Sequence, residues 1–259
     1  MVFIGVLALV FAVLFGILAH LTNKRIGRLE RTETLTVAEL SAMRQAAAEA
    51  AGPGHFRYPC EVVGIALPDQ RGLLKSQLQE VDCVWHRHKI TRKYEEIRRD
   101  SNGNRRRTTQ HETVSALTSD TGFLVEDDSG RIAIRPEGAE TIGADKTLDN
   151  FVQHQGRGEG GLSIGPITLT TRQGDGTLGF KHEEWVLRQG TRLFVHGEAT
   201  DVRGHLEIAR PSEGGTYIVS AKSEEELLRR DTRQLTLWFV GSGLCGLAGV
   251  VLLLVALLR

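Results

Sequence analysis

Two stretches of the chain show no alternation of polar and apolar positions. Val2 to Ala19 and Leu235 to Leu258 carry no charged residue. A helix crosses the hydrocarbon core of a bilayer in about 20 apolar residues. A helix buried in a soluble core seldom stays apolar on every side for that length. The pattern predicts transmembrane helices over 1–21 and 235–258. The first run has no basic residue before it and no small-x-small cleavage pattern, so it reads as an anchor rather than a signal peptide.

Between these runs the period changes. Thr36 and Glu39 have capping-box spacing, Val37, Leu40 and Met43 share a helical face, and Gly52, Pro53 and Gly54 stop the run. This predicts a helix over 37–51 inside a helical linker over 22–55, either a membrane-proximal spacer or a lid. From Tyr58 onward, β-branched and aromatic runs alternate with turn signals. CEVVGIAL reads as a strand, and LLKSQL as a short turn or helix. CVWHRHKITRKYEEI and QHETVSAL form a long hairpin about Asn102-Gly103. GFLVEDDSGRIAIRP forms a second hairpin, turning near Asp128-Ser129-Gly130, and TRLFVHGEATDVRGHLEIARP a third, turning near Arg203-Gly204. TYIVSAK adds one more strand. Ser223 and Glu226 then cap a juxtamembrane helix over 223–234 that runs into the second span. The expected fold is a mainly β soluble domain over 56–222, an antiparallel barrel or sandwich, flanked by two transmembrane helices with membrane-proximal helices. The glycine-rich stretch 153–176 reads as a mobile insertion around one hairpin.

Charge adds orientation to this picture. Lys24, Arg25, Arg28 and Arg31 follow the first span, Arg229, Arg230 and Arg233 precede the second, and only Arg259 lies beyond it. Basic flanks mark the cytoplasmic side. The expectation is an integral protein of the plasma membrane with its soluble domain in the cytoplasm. The formal net charge of zero argues against a dedicated nucleic-acid binder. Cys60, Cys83 and Cys245 contain no CxxC pair, which excludes a cysteine-rich structural zinc site, and a cytoplasmic location disfavours a Cys60–Cys83 disulfide.

The candidate chemistry is sparse. Gly156, Gly158 and Gly161 match G-x-G-x-x-G, but Gly165 and Pro166 break the helix that a dinucleotide site needs, so the stretch reads as a loop. His86 and His88 stand two apart on a strand and face one side, with His111 across the hairpin as a possible third zinc ligand. Histidines on a strand are more often packing residues, and no bound metal or cofactor is expected. From Arg87 to Arg107 nine Lys and Arg face three acids, a patch suited to anionic lipid unless Glu–Arg pairs across the hairpin neutralise it. Asp127-Asp128 and Glu183-Glu184 are adjacent on strands, so each pair splits between two faces and makes no carboxylate dyad. No nucleophile elbow, H-E-x-x-H or phosphate loop occurs, and no catalytic residue is assigned.

A family resemblance sits on four ordered blocks: CVWHRHKITRKYEE, FLVEDDSGRIAIRPEGAE, HEEWVLRQGTRLFVHGEATDVRGHLEI and YIVSAKSEEELL. Cys83, Trp85 and Arg87, the Asp128–Arg131 turn, Glu184-Trp185 and Gly197-Glu198-Ala199 are among its marks. Over residues 56–230 the chain resembles the GIDE ("beside a membrane") domain, the middle region of mitochondrial membrane-anchored E3 ubiquitin ligases. The resemblance implies a domain held between two spans. It also implies a C-terminal zinc RING finger, which three cysteines cannot build, so ligase activity is not carried over and the architecture is similar to prokaryotic RING-less relatives. In the mitochondrial members the domain faces the intermembrane space, at odds with the cytoplasmic placement expected from charge.

These readings favour a membrane-tethered binding or assembly module. Its expected partner is a membrane-associated protein or a second copy, with contact to anionic lipid. The candidate interaction residues are Trp85, His86, Arg87, His88, Arg105, Arg106, Arg107, Glu184 and Trp185. Ser242 with Gly246, and Cys245 with Gly249, have small-xxx-small spacing for contact with the first span or another copy. The alternative is a membrane-associated hydrolase built on His86, His88 and a carboxylate around a metal. Convergence of those side chains in a concave pocket would favour it.

Overall fold

A computed structural model describes residues 2–29, 32–99, 105–154, 161–164, 167–170 and 176–257. Two helices come first, α1 (Val2–Leu29) and α2 (Val37–Ala51). Five strands follow: β1 (Arg57–Leu67), β2 (Leu74–Lys75), β3 (Asp82–Cys83), β4 (Trp85–Arg99) and β5 (Arg105–Thr118). Next are β6 (Phe123–Asp127), β7 (Gly130–Ile134), β8 (Glu140–Ile142), β9 (Asp145–Gln153), β10 (Gly161–Ile164) and β11 (Ile167–Thr170). The chain continues through β12 (Thr177–Leu187), β13 (Arg192–Thr200), β14 (Glu207–Ala209) and β15 (Ile218–Ser220) to a last helix, α3 (Glu224–Leu257).

Both terminal helices are long and apolar enough to cross a membrane. They pack on each other along their apolar lengths. Phe15 stacks on Trp238 with ring centroids 5.6 Å apart, and Ser242 Oγ donates to the Ala12 carbonyl at 2.9 Å. Gly249 is buried at the contact, where a Cβ would stand 2.9 Å from Leu9 Cδ2 and 3.0 Å from the Gly5 carbonyl oxygen. The small-residue face of α3 therefore meets the first span of the same chain, the close approach that small residues permit.

The helices run unbroken into the domain. α1 continues to Leu29, through the start of the predicted linker 22–55, and the predicted segments 223–234 and 235–258 meet in one helix, Glu224–Leu257. Leu29 and Leu227 are buried against Ile142, Phe194 and Ile218. Arg25 bridges Glu140 at 2.9 Å and Asp231 at 3.0 Å. The domain is thus fixed to its terminal helices by a second apolar cluster with an ion-pair network at its edge.

The centre of the fold is a barrel, the first of the two predicted options. Strands run in the order β1-β6-β7-β14-β13, and β13 closes on β1. All neighbours are antiparallel except β7 and β14, which pair in parallel through Glu207↔Ala133 and Ile208↔Ile134. This is a five-stranded Greek-key barrel of OB type. Val62, Val125, Ile132, Leu193, Val195 and Ile208 fill it. β15 and β8 extend the sheet from β13.

α2 is a lid. Thr36 and Glu39 make the capping box, and Val37 and Leu40 reach the barrel core. The β6–β7 turn satisfies the free N–H groups of its first turn: Val37 N donates to Asp127 Oδ2 at 2.8 Å and Ala38 N to Ser129 Oγ at 2.9 Å. The chain after it is held by Asp201, which accepts from Phe56 N at 3.0 Å and Gly54 N at 3.2 Å.

A second sheet, β5-β4-β12-β9, is inserted between barrel strands. The hairpin of β4 and β5 follows the predicted pairing, while its Asn102-Gly103 turn lies outside the described residues. LLKSQL is neither turn nor helix throughout: β2 pairs with β3 through Leu74↔Cys83 and Lys75↔Asp82. β10 and β11 form a two-stranded ladder within the stretch read as a mobile insertion, and Gly156 and Gly158 lie outside the described residues.

Candidate functional site

The predicted site residues concentrate on the inserted sheet, where the pleat divides them between two faces. β4 and β12 pair as His86↔Val186, Arg87↔Trp185, His88↔Glu184 and Ile90↔His182. Successive side chains alternate, so His86, His88, His182 and Glu184 share one face and Arg87 and Trp185 the other.

The first face is closed. Glu184 is 0% exposed, His88 1%, His182 2% and His86 7%. The carboxylate of Glu184 accepts from Ser76 Oγ at 2.9 Å, Leu78 N at 2.8 Å and Gln79 N at 3.1 Å. Ser76 also closes its own turn, accepting from Val81 N at 3.0 Å. Glu184 thus pins residues 76–81 over the sheet, which is work for a buried carboxylate that needs donors. His88 Nε2 meets Ser115 Oγ at 3.0 Å. His86 Nδ1, His88 Nδ1 and His182 Nε2 are buried with no hydrogen-bond partner among the described residues. Burial pulls all three histidines below the usual imidazole range, and Glu184 opposes this for His86 and His88. They are neutral packing groups.

This arrangement bears on the metal and hydrolase readings. His111 lies opposite Lys93 on β5, on the exposed side and well down the hairpin from His86 and His88. The third histidine of the cluster is His182. Among the described residues no group of three His, Cys, Asp or Glu is arranged to hold a metal ion. The side chains converge inside a packed face and not in an open pocket, so the hydrolase alternative gains no support. Trp85 is corrected too. It is 2% exposed and belongs to the barrel core, because this end of β4 passes under the barrel.

The second face is open and carries cations on aromatic rings. The Arg87 guanidinium carbon lies 4.9 Å from the centroid of the Trp185 ring and Lys146 Nζ 5.2 Å from it. Lys93 Nζ lies 5.9 Å from the Phe151 ring, which is 41% exposed. Thr91, Lys93, His111, Phe151 and Lys181 line a shallow cavity of about 240 Å³ there. Lys146 and Lys181 are both tied to Asp149 and Glu183, which holds those two carboxyls below their usual range. Arg87, Lys89 and Lys93 have no carboxylate partner among the described residues and line one side of β4 in register.

Arg105, Arg106 and Arg107 sit exposed at the far end of the hairpin, opposite Arg99, Arg98 and Ile97. Arg107 faces Glu95 at 3.6 Å and Arg92 faces Glu112 at 3.3 Å, so part of the basic patch is neutralised across the strands. Sequence reasoning missed Lys146, Phe151 and His182. A further cleft of about 780 Å³ lies on β6 and β7 beside Arg71, Arg135 and Glu207, but Arg71 is bound to Asp69 and Arg135 to Glu207.

The barrel with its inserted sheet is a β-rich domain carried on two terminal helices long and apolar enough to span a membrane. The family model of GIDE, described as E3 ubiquitin ligase, matches residues 93–254, from within β4 into the second terminal helix. The chain belongs to the GIDE family. No curated protein and no solved structure matches it.

Proposed function

We propose that this chain is a membrane-tethered binding module whose working surface is the open face of the inserted sheet, and that it docks an acidic segment of a protein in the same membrane. The observation that carries this reading is the row Arg87, Lys89 and Lys93 beside the Trp185 and Phe151 rings. Unpaired cations with exposed aromatic area suit an anionic partner that also buries apolar surface. Two anchors confine the search to a thin layer, so a weak interface suffices. Binding rather than ubiquitin transfer is assigned to these residues. Burial pushes the Cys60 thiol up to about 12 and the Cys83 thiol up to about 11, and Cys245 lies in the apolar part of α3, so none supplies a thiolate for covalent transfer through this chain.

A photoreactive residue replacing Thr91, at the centre of the face, should give a discrete adduct with a membrane-associated protein. Lys89→Glu with Lys93→Glu should reduce it by ~10-fold or more, the loss expected for one or two charge-assisted contacts. An adduct indifferent to charge reversal would sink the docking reading.

The same proposal places the soluble domain in the cytoplasm of a cell bounded by its plasma membrane, on the strength of the basic residues at the inner ends of both helices. A reporter active only outside the cytoplasm should give signal when fused after residue 259. Signal from an insertion near residue 120 would reverse the orientation.

A further inference from the structure

A cavity of about 640 Å³ lies where α1 leaves its apolar run and meets the barrel. Asn23, Lys24 and Gly27 line it on the helix side, and His196, Gly214 and Thr216 on the domain side. We propose that it holds the headgroup of an anionic phospholipid. This rests on the reading that α1 spans the membrane.

Depth is the first argument. Asn23, Lys24 and Gly27 follow Leu21, the end of the predicted span, by about 3–9 Å along the helix axis. The headgroup layer is about 5–8 Å thick on each side of the hydrocarbon core. The cavity therefore opens at the level where lipid phosphates lie. Charge is the second argument. Lys24 is exposed and has no carboxylate partner among the described residues, so its ammonium is free for a phosphate. The third is a buried polar wall. His196, 6% exposed, has Nδ1 3.1 Å from Oε1 of the fully buried Glu61, whose other oxygen lies 3.4 Å from Thr34 Oγ1. The pair fixes the ring, and Nε2 has no partner among the described residues, which leaves it for a polar occupant.

Gly27 supplies the space. A Cβ added there meets no atom within 4 Å, so a larger side chain would enter the cavity without disturbing the helix. Rigid docking of α1 through Leu29 and Arg25 keeps the two walls at fixed separation.

The test uses the full chain purified in detergent. Native mass spectrometry would count dioleoylphosphatidylglycerol retained per chain, with dioleoylphosphatidylcholine and inorganic phosphate as separate arms. One phosphatidylglycerol should be retained in preference to phosphatidylcholine. Lys24→Gln and Gly27→Phe should each weaken retention by about 10-fold, as for loss of a charge-assisted contact or occlusion of the site. An unchanged unfolding temperature for Gly27→Phe would show that the fold survives. Equal retention of both lipids, or retention indifferent to Gly27→Phe, would overturn the proposal. So would binding of free phosphate without lipid, or loss of retention on changing Arg105, Arg106 and Arg107 to Gln, which would move the site to the hairpin tip. A chain released from membranes by alkali would end the membrane-spanning reading and this one together. A chain that stays integral yet keeps no phosphatidylglycerol would end this one alone.

Discussion

Lowering the pH from 7.5 to 5 should destabilise the folded chain, before most of its carboxylates titrate. His86, His88 and His182 are buried and held below the ordinary imidazole value of 6.5 by loss of water. Below 6.5 the unfolded chain therefore binds more protons than the folded one, and stability falls with pH until each folded-state value is passed. Well above 6.5 the three contribute no slope. Each histidine adds at most roughly 1.4 kcal/mol per pH unit within its window, the limit set by one full proton of difference between the two states. The loss counts against an ordinary domain stability of about 5–15 kcal/mol. Glu184 faces His86 and His88 and softens the effect, whereas His182 has burial as its sole cause. Glu183, Asp127 and Asp201 have lowered carboxyl values, so their contribution is lost only at more acid pH. Chemical denaturation of the full chain in detergent at stepped pH measures the slope, and His182→Leu should reduce it. A flat profile between pH 7.5 and 5 would contradict the neutral, closed cluster.

The ends of the chain and most of the barrel were legible because their patterns are local. The apolar runs, the Thr36–Glu39 box and the Asp128-Ser129-Gly130 turn reappear as α1, α3, the start of α2 and the β6–β7 connection. β12 was not legible. Its closed face carries Phe180, His182, Glu184 and Val186 while Trp185 is half-buried on the other, so alternation in hydrophobicity is scrambled although burial alternates from Phe180 to Val186. β9 buries no residue fully and offered no apolar period at all. With both strands unread, Glu184 and Trp185 of β12 entered as marks of the family resemblance, and Lys146 and Phe151 on the open face and His182 on the closed one were missed. Strand parity placed His86 and His88 together, but the choice of His111 as their companion needed a register. The β4–β5 pairing and its irregularity between Ile90 and Thr91 set that register, and neither is written in the local sequence.

Gly64→Ala should be among the most damaging single changes in the domain, costing about 3 kcal/mol or more where an added methylene in a packed core typically costs about 1–3 kcal/mol. A Cβ at this position would lie 2.4 Å from the Glu126 carbonyl oxygen and 2.7 Å from Val125 Cγ1. The first neighbour is backbone and cannot rotate away. Gly64 sits where β1 passes from one partner to another: it pairs with Leu193 of β13, and the next residue, Ile65, faces both Arg192 of β13 and Glu126 of β6. Relief would require β6 to draw back from β1, which opens the closing seam of the barrel. Opening it uncovers Val62 and Val125 and loosens β13, against whose Phe194 the helix ends Leu29 and Leu227 are packed. The comparison is Gly27→Ala, whose new Cβ meets nothing within 4 Å and which should gain roughly 0.5–1 kcal/mol from the better helix residue. Denaturant titration of both variants in detergent separates the two outcomes. A loss below about 1 kcal/mol for Gly64→Ala would mean that β1 and β6 stand further apart at the seam, because a contact of that length to a backbone oxygen cannot be absorbed so cheaply.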